Sequence, residues 1–479
     1  MNCRLFATFL AFVVASACLL NSCKRPQSSV LAITHVTVIG MTGAPPAPEQ
    51  TVLVDKERIV AVGSSSSVSI PSGAKILDAT GKFLIPGLSD MHIHLTGAGE
   101  PDGSRKFMIP LLLANGITTV RDMGGYLDSL VPLRKEIEDG KRLGPRIVLA
   151  GPYLDGDPPA FQPAAIVTNQ DDAGAAVQWL KQSGVDFLKV QSNLSREAYF
   201  AIAEEAKKHN ISFVGHVPDS VTASEAADAG QKSIEHLTNV LRACSSKETD
   251  LMRTQFRDSS KTGQLAWRRE LLASYSEQKA AELIAKFRAQ NTWQTPTLIL
   301  LRDVAFASAE LNLPSDSHSK YVPRRLLEIW RGGYEQNITD STNEQAAVRT
   351  MLLKKSFGIT GQMQKGSVKI LAGTDTAAPF VFPGFSLHEE LALLMQAGLT
   401  PTQALEAATR NPAEFLGRLD SQGTIAVGKN ADLVLLDANP LDDIHNTRKI
   451  NAVILRGELL DRFALDQLLT GAEKFAAAN

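Results

Sequence analysis

His92 and His94 stand one residue apart in "PGLSDMHIHLTG", a spacing that turns both rings to one face if the stretch is a strand. Imidazoles are poor core filler, and a divalent metal ion is the simplest object two of them can share. One core histidine beside one solvent-facing histidine fits the same pair, so the rest of the chain has to decide. Four further residues bear on it: Lys189 in "VDFLKVQ", His216 in "SFVGHV", His236 in "SIEHL" and Asp375 in "LAGTD". Each sits at or near the end of an otherwise apolar run, and with His92 and His94 the six residues include four of the chain's nine histidines. Histidine and carboxylate are ligands of zinc and similar divalent ions. Lys189 is the odd member, because a bare ammonium in an apolar strand costs several kcal/mol. Carboxylation by carbon dioxide would make it an anion with two oxygens, able to bridge two cations; a lysine snorkelling from a strand end is the plainer alternative.

The elements that must position these residues alternate. From 86 to 418, the strand-like runs "LSDMHIHL", "TTVRDMG", "RIVLAGPYL", "VDFLKVQ", "ISFVGHV", "SIEHL", "WQTPTLIL" and "VKILAGTD" are separated by amphipathic helical stretches. Capping boxes are expected at "TASE" (Thr222 to Glu225) and "SLHE" (Ser386 to Glu389), with Pro401 opening a helix and Gly230 and Gly398 ending two. Eight such units are the pattern of a (β/α)8 TIM-like barrel, whose strand ends converge on one mouth; a doubly wound sheet is the alternative, without a Gly-rich phosphate fingerprint. Residues 29–85 and 419–465 read as short β segments instead, which predicts a small discontinuous β-sandwich domain closed from both termini. Two intervals, about 239–275 and 301–342, are oversized for connections and lie between a strand and its helix. They are expected either to roof the pocket and select substrate, or to decorate the fold.

These residues carry a resemblance. The motifs "GKFLIPGLSDMHIHL", "GITTVRD", "DFLKV", "SIEHL", "ILAGTD", "LHEELALLMQAGLTPTQALEAATRNPAEFLG" and "GTIAVGKNADLVLLD" resemble, in this order, the amidohydrolase superfamily, in its imidazolonepropionase-like and Xaa-Pro dipeptidase-like branch. The resemblance implies two Zn2+ ions: His92 and His94 on the first, His216 and His236 on the second, and carboxylated Lys189 bridging. Asp375 would ligate the first ion and move the proton. One departure stands out. Dipeptidases of this branch often carry a His-Ala-His-Gly-like strand five, and this chain reads "GHVPDS".

The expected activity is hydrolysis of a C–N bond, in dipeptides or N-acyl amino acids, by a metal-bridged hydroxide. Its rivals are a mononuclear deaminase or cyclic-amide hydrolase of the same fold, which needs no bridging anion at Lys189, and a non-catalytic exported barrel. No G-x-S-x-G appears, against a serine hydrolase. The 479 residues are 44% hydrophobic and 21% charged with a net charge of -2 and no Lys/Arg-rich run, which gives nucleic acid no electrostatic footing. Cys3, Cys18 and Cys23 all lie near the start, so Cys244 has no partner in the folded part. Residues 1–22 read as a signal peptide: Arg4, then an apolar run from Leu5 to Leu20. "LNSC" resembles a bacterial lipobox, which would make Cys23 a lipid anchor followed by the linker "KRPQSS"; cleavage near Ala17 would release a soluble exported protein instead. The expected location is the periplasm or cell envelope of a bacterium, with the membrane met only through the anchor.

Overall fold

A computed structural model describes residues 30–96, 104–255, 258, 260–306, 317–339 and 342–479; the leader expected at 1–22 and Cys23 lie outside them. The two ends of the chain meet in one sheet. Strands Val30–Val38, Ala47–Asp55, Arg58–Ser64, Lys75–Asp78 and Phe83–Pro86 join Leu433–Leu436, Ile450–Leu455 and Glu458–Leu460 in an eight-stranded array. The seam is antiparallel, with Leu433 opposite Pro86 and Leu436 opposite Phe83. Alternation sorts its side chains: Leu84, Leu433 and Leu435 enter a cluster with Ile33, Val52 and Ile454, while Ile85, Val434 and Leu436 face the main core. A one-residue slip would exchange the two sets, so register is fixed by burial on both faces.

The main core is built on short parallel strands. Leu88–Ile93, Ile117–Asp122 and Arg146–Leu149 pair in one sheet; Tyr153–Asp155, Leu188–Val190, Phe213–Gly215, Ser233–Glu235 and Trp293–Thr295 pair in another. The Asp186 amide donates to Leu149 O at 2.9 Å across the gap between them. Residues 369–376 form no assigned strand, yet their backbone bonds both neighbours: Gln294 N to Lys369 O at 3.1 Å on one side, Met91 N to Ala372 O at 2.9 Å on the other. Gly373 permits this approach, since a Cβ there would stand 2.9 Å from the His92 backbone N.

Helices follow the strands much as the sequence pattern predicts. Thr222 and Thr400 form capping boxes, Pro401 sits in the first turn, and Gly230 and Gly398 take positive φ just beyond helix ends. "SLHE" is a correction. Its helix, Phe385–Gln396, starts two residues early behind Gly384, and the Ser386 hydroxyl accepts from Phe382 N instead of capping. The oversized intervals are helical as well, holding Val240–Ala243, Glu248–Thr254 and Lys261–Ala273, then most of Leu298–Phe306 and Arg324–Thr339. A further difference lies at the end of the chain: the last strand stops at Leu460, and Arg462–Ala478 is a helix that buries Leu465 and Ala472 against the main core. Among the described residues no helix is long and apolar enough to cross a membrane.

Candidate active site

The strand Leu88–Ile93 is buried along its whole length. It ends at Ile93, so His94 lies one residue past it, but both rings still reach the same place, with centroids 5.3 Å apart. The His92 and His236 rings approach to 4.4 Å, and those of His236 and His216 to 5.1 Å. Asp375 Oδ1 stands 3.3 Å from His92 Nε2 and 3.1 Å from His94 Nε2. His236 (φ 58°) and Asp375 (φ 67°) both adopt the left-handed region, a costly conformation for residues other than glycine that clusters at functional sites. Gly215, just before His216, is small by necessity: a Cβ would meet Val190 O at 2.2 Å and Lys189 Cδ at 2.9 Å.

Each ring is tied by the same atom. His92 Nδ1 donates to Glu235 Oε2 at 2.8 Å and His94 Nδ1 to Gly124 O at 3.0 Å. His216 Nδ1 pairs with the Ser192 hydroxyl at 2.8 Å, and His236 Nδ1 with the Thr297 hydroxyl at 2.7 Å. Carboxylate and carbonyl oxygens only accept, so the Nδ1 protons of His92 and His94 are fixed. All four Nε2 atoms are left for whatever occupies the centre. His92 Nε2 is buried without a hydrogen-bond partner, its approach to Asp375 lacking hydrogen-bond geometry, and such an orphan in a polar cluster calls for an ion or water.

Charge follows from burial. Desolvation, then the Lys189 charge, push the rings of His92 and His216 below the usual histidine range; desolvation and His92 push His236 down to about 3. Neutral imidazole is the form that ligates. Burial also pushes the Lys189 ammonium down to about 8, against the pull of Glu235 and Asp375. For Asp375 burial favours the acid, but His236, His92 and His94 hold the carboxyl well below its ordinary value. Ligand atoms of His92, His236 and Asp375 all lie within 4.8 Å of one another, a set that could hold an ion. That trio crosses the two groups the resemblance implies, drawing one residue from the second.

The sequence motifs left other participants without a role. Arg121 and Glu235 are sealed in the interior: Arg121 Nη2 donates to Glu235 at 2.9 and 3.0 Å, Nη1 to Ser233 Oγ at 3.1 Å, and Nε to Met91 O at 2.6 Å. Burial works to protonate Glu235, but Arg121 and His92 hold it well below the carboxylate range. Asp90 accepts from His92 N at 3.2 Å and from Thr374 N and Oγ1 at 3.0 and 2.7 Å, tying the first strand to the segment that carries Asp375. The signal was present as charged residues inside "TTVRD" and "SIEHL", where Arg121 and Glu235 share a face with Thr119 and Ser233.

Comparisons with known proteins give the family. Residues 83–460 match the amidohydrolase family. The chain belongs to that family, of hydrolases acting on C–N bonds. It is similar to imidazolonepropionase of Shouchella clausii, 25% identical over 452 residues, covering 87% of this chain and 88% of that protein. Among solved structures, a bottromycin amidohydrolase superposes with a TM-score of 0.75 at 23% identity, covering 95% of this chain and 91% of its own. A Xaa-Pro dipeptidase with methionine bound in its active site gives 0.65 at 20% identity, covering 90% and 100%. These likenesses share an amidohydrolase fold of TIM-barrel type.

The Arg121–Glu235 pair yields a test. Arg121→Met leaves the Glu235 carboxylate without its guanidinium in the core and should cost about 3–5 kcal/mol in urea denaturation. Adding Glu235→Leu should recover much of that loss, since no lone charge remains, while metal content stays low because His92 Nδ1 has lost its acceptor.

Proposed function

We propose that this amidohydrolase binds two divalent ions, Zn2+ by its ligand chemistry, and cleaves a C–N bond in dipeptides or N-acyl amino acids. The observation that carries the proposal is the common anchoring of four histidines by Nδ1, which presents four Nε2 atoms to one space. Four presented nitrogens exceed what a single ion with Asp375 and an open position needs, which favours two ions over the mononuclear reading. His92, His94 and Asp375 would hold one, His216 and His236 the other. Lys189, pushed toward its neutral amine, is suited to add carbon dioxide, losing a proton to become a carbamate that spans both. When bound, such ions acidify water toward neutrality and polarise a carbonyl.

The protein's own groups do the rest. Asp375, unprotonated and facing the site, takes a proton from the attacking water and returns it to the leaving nitrogen. Glu235 keeps the His92 proton on Nδ1, and Asp90 keeps Asp375 beside strand Leu88–Ile93. The peptide-like substrate class draws support from the Xaa-Pro dipeptidase likeness. In the same reading residues 86–418 close as a (β/α)8 barrel, residues 29–85 and 419–465 form the β-sandwich domain, and the backbone bonds of 369–376 to both neighbours support the closure.

Asp375→Asn keeps size and polarity and loses the base. Against a panel of dipeptides and N-acyl amino acids, the zinc-loaded variant should fold, retain at least one ion, and turn over roughly 10²–10⁴-fold more slowly. Near-normal turnover would show that Asp375 moves no proton. Export is proposed on the leader and "LNSC" alone: the protein should fractionate with membranes and Cys23→Ser should release it. A wild-type protein found wholly in the soluble periplasm contradicts the anchor.

A further inference from the structure

Thr297 lies two residues past strand Trp293–Thr295, after Pro296, at φ 46°, and its carbonyl accepts the Leu301 amide, so by backbone it caps the helix Leu298–Phe306. A threonine at a helix start ordinarily takes extended backbone and turns its hydroxyl onto the first amides; Thr297 is left-handed instead. Here the hydroxyl is on His236 Nδ1 at 2.7 Å, and those amides would be left bare in a dry interior. Glu390 supplies what is missing. It reaches over from the helix Phe385–Gln396, fully buried, and accepts Leu298 N on Oε1 at 3.0 Å and Ile299 N on Oε2 at 2.7 Å.

We propose that Glu390 is a positioning residue for the ion site at His236: by capping the helix in place of Thr297, it frees the threonine hydroxyl to hold that imidazole. The proposal rests on the ion-binding reading above. With Nε2 given to an ion, the His236 proton sits on Nδ1 and needs an acceptor, and Thr297 Oγ1 is the one within reach. Without Glu390, the hydroxyl is drawn to the helix amides it now ignores, and the ring loses its tether. Glu389, the adjacent residue, marks the contrast: it pairs with Arg302 at 3.0 Å and touches neither the amides nor Thr297.

The experiment is competition for Zn2+ against a chromophoric chelator, with wild type, Glu390→Gln, Thr297→Val, the pair of substitutions, and Glu389→Gln. Glu390→Gln and Thr297→Val should each weaken the more loosely held ion about 10–100-fold, as losing an outer partner of a ligating histidine does. The double variant should be no weaker than the worse single one, because both remove the same tether. Glu389→Gln should bind like wild type. If Glu390→Gln does not fold, Glu390→Asp, which keeps the carboxyl one methylene short, takes its place with the same expectation. A Glu390 variant that loses thermal stability but binds zinc as tightly as wild type overturns the proposal, as do losses that multiply in the double variant. A wild-type protein that takes up no zinc overturns the ion-binding reading itself, an outcome distinct from wild type binding and Glu390→Gln binding equally.

Discussion

A carboxylate sealed in a protein interior must be paired or neutral, because stripping it of water costs several kcal/mol. Glu235 is such a group, and much of the site follows from how its charge is kept. Arg121 reaches it from the neighbouring sheet and in the same gesture binds the carbonyl of Met91, one residue before His92. Glu235 Oε2, which Arg121 also contacts at 3.0 Å, receives the His92 Nδ1 proton. One buried pair thus joins the strands Leu88–Ile93, Ile117–Asp122 and Ser233–Glu235 and sets which nitrogen His92 offers.

The same economy recurs at each histidine. A carbonyl, a serine, a threonine and a glutamate occupy the four Nδ1 positions, and each comes from a different stretch of chain. Strand ends bring the rings near one another, but these outer partners aim them. Asp90 extends the logic to the last segment, where its grip on Thr374 holds Asp375 against the first strand although no regular strand forms there. Burial pushes the Asp90 carboxyl up to about 7, with hydrogen bonds from Thr374 and His92 drawing it back.

Legibility in the sequence tracked side-chain chemistry. His92, His94, Lys189, His216, His236 and Asp375 stood out because each interrupts an apolar run, and the structure brings the four histidines and Asp375 together with Lys189 buried among their charges. Arg121 and Glu235 were in plain view within quoted motifs but carried no metal-ligand signature, and their pairing over 114 residues has no local pattern. The left-handed turns at His236 and Asp375 were hidden because neither residue type demands positive φ. Ser386 misled since its box pattern was sound, yet Gly384 starts the helix earlier and the hydroxyl serves Phe382 instead. The closing helix Arg462–Ala478 was not read in the sequence, and its packing against Ile109–Ala114 is a tertiary fact.

The central claim is that four Nε2 atoms, Asp375 and a carboxylated Lys189 enclose two ions. A crystal of protein expressed with zinc and bicarbonate, measured on either side of the zinc absorption edge, tests it directly. The account predicts two anomalous peaks, one beside His92, His94 and Asp375 and one beside His216 and His236, with extra density continuing from Lys189 Nζ between them. A single peak with an unmodified lysine, or an ion held through any histidine Nδ1, would contradict it.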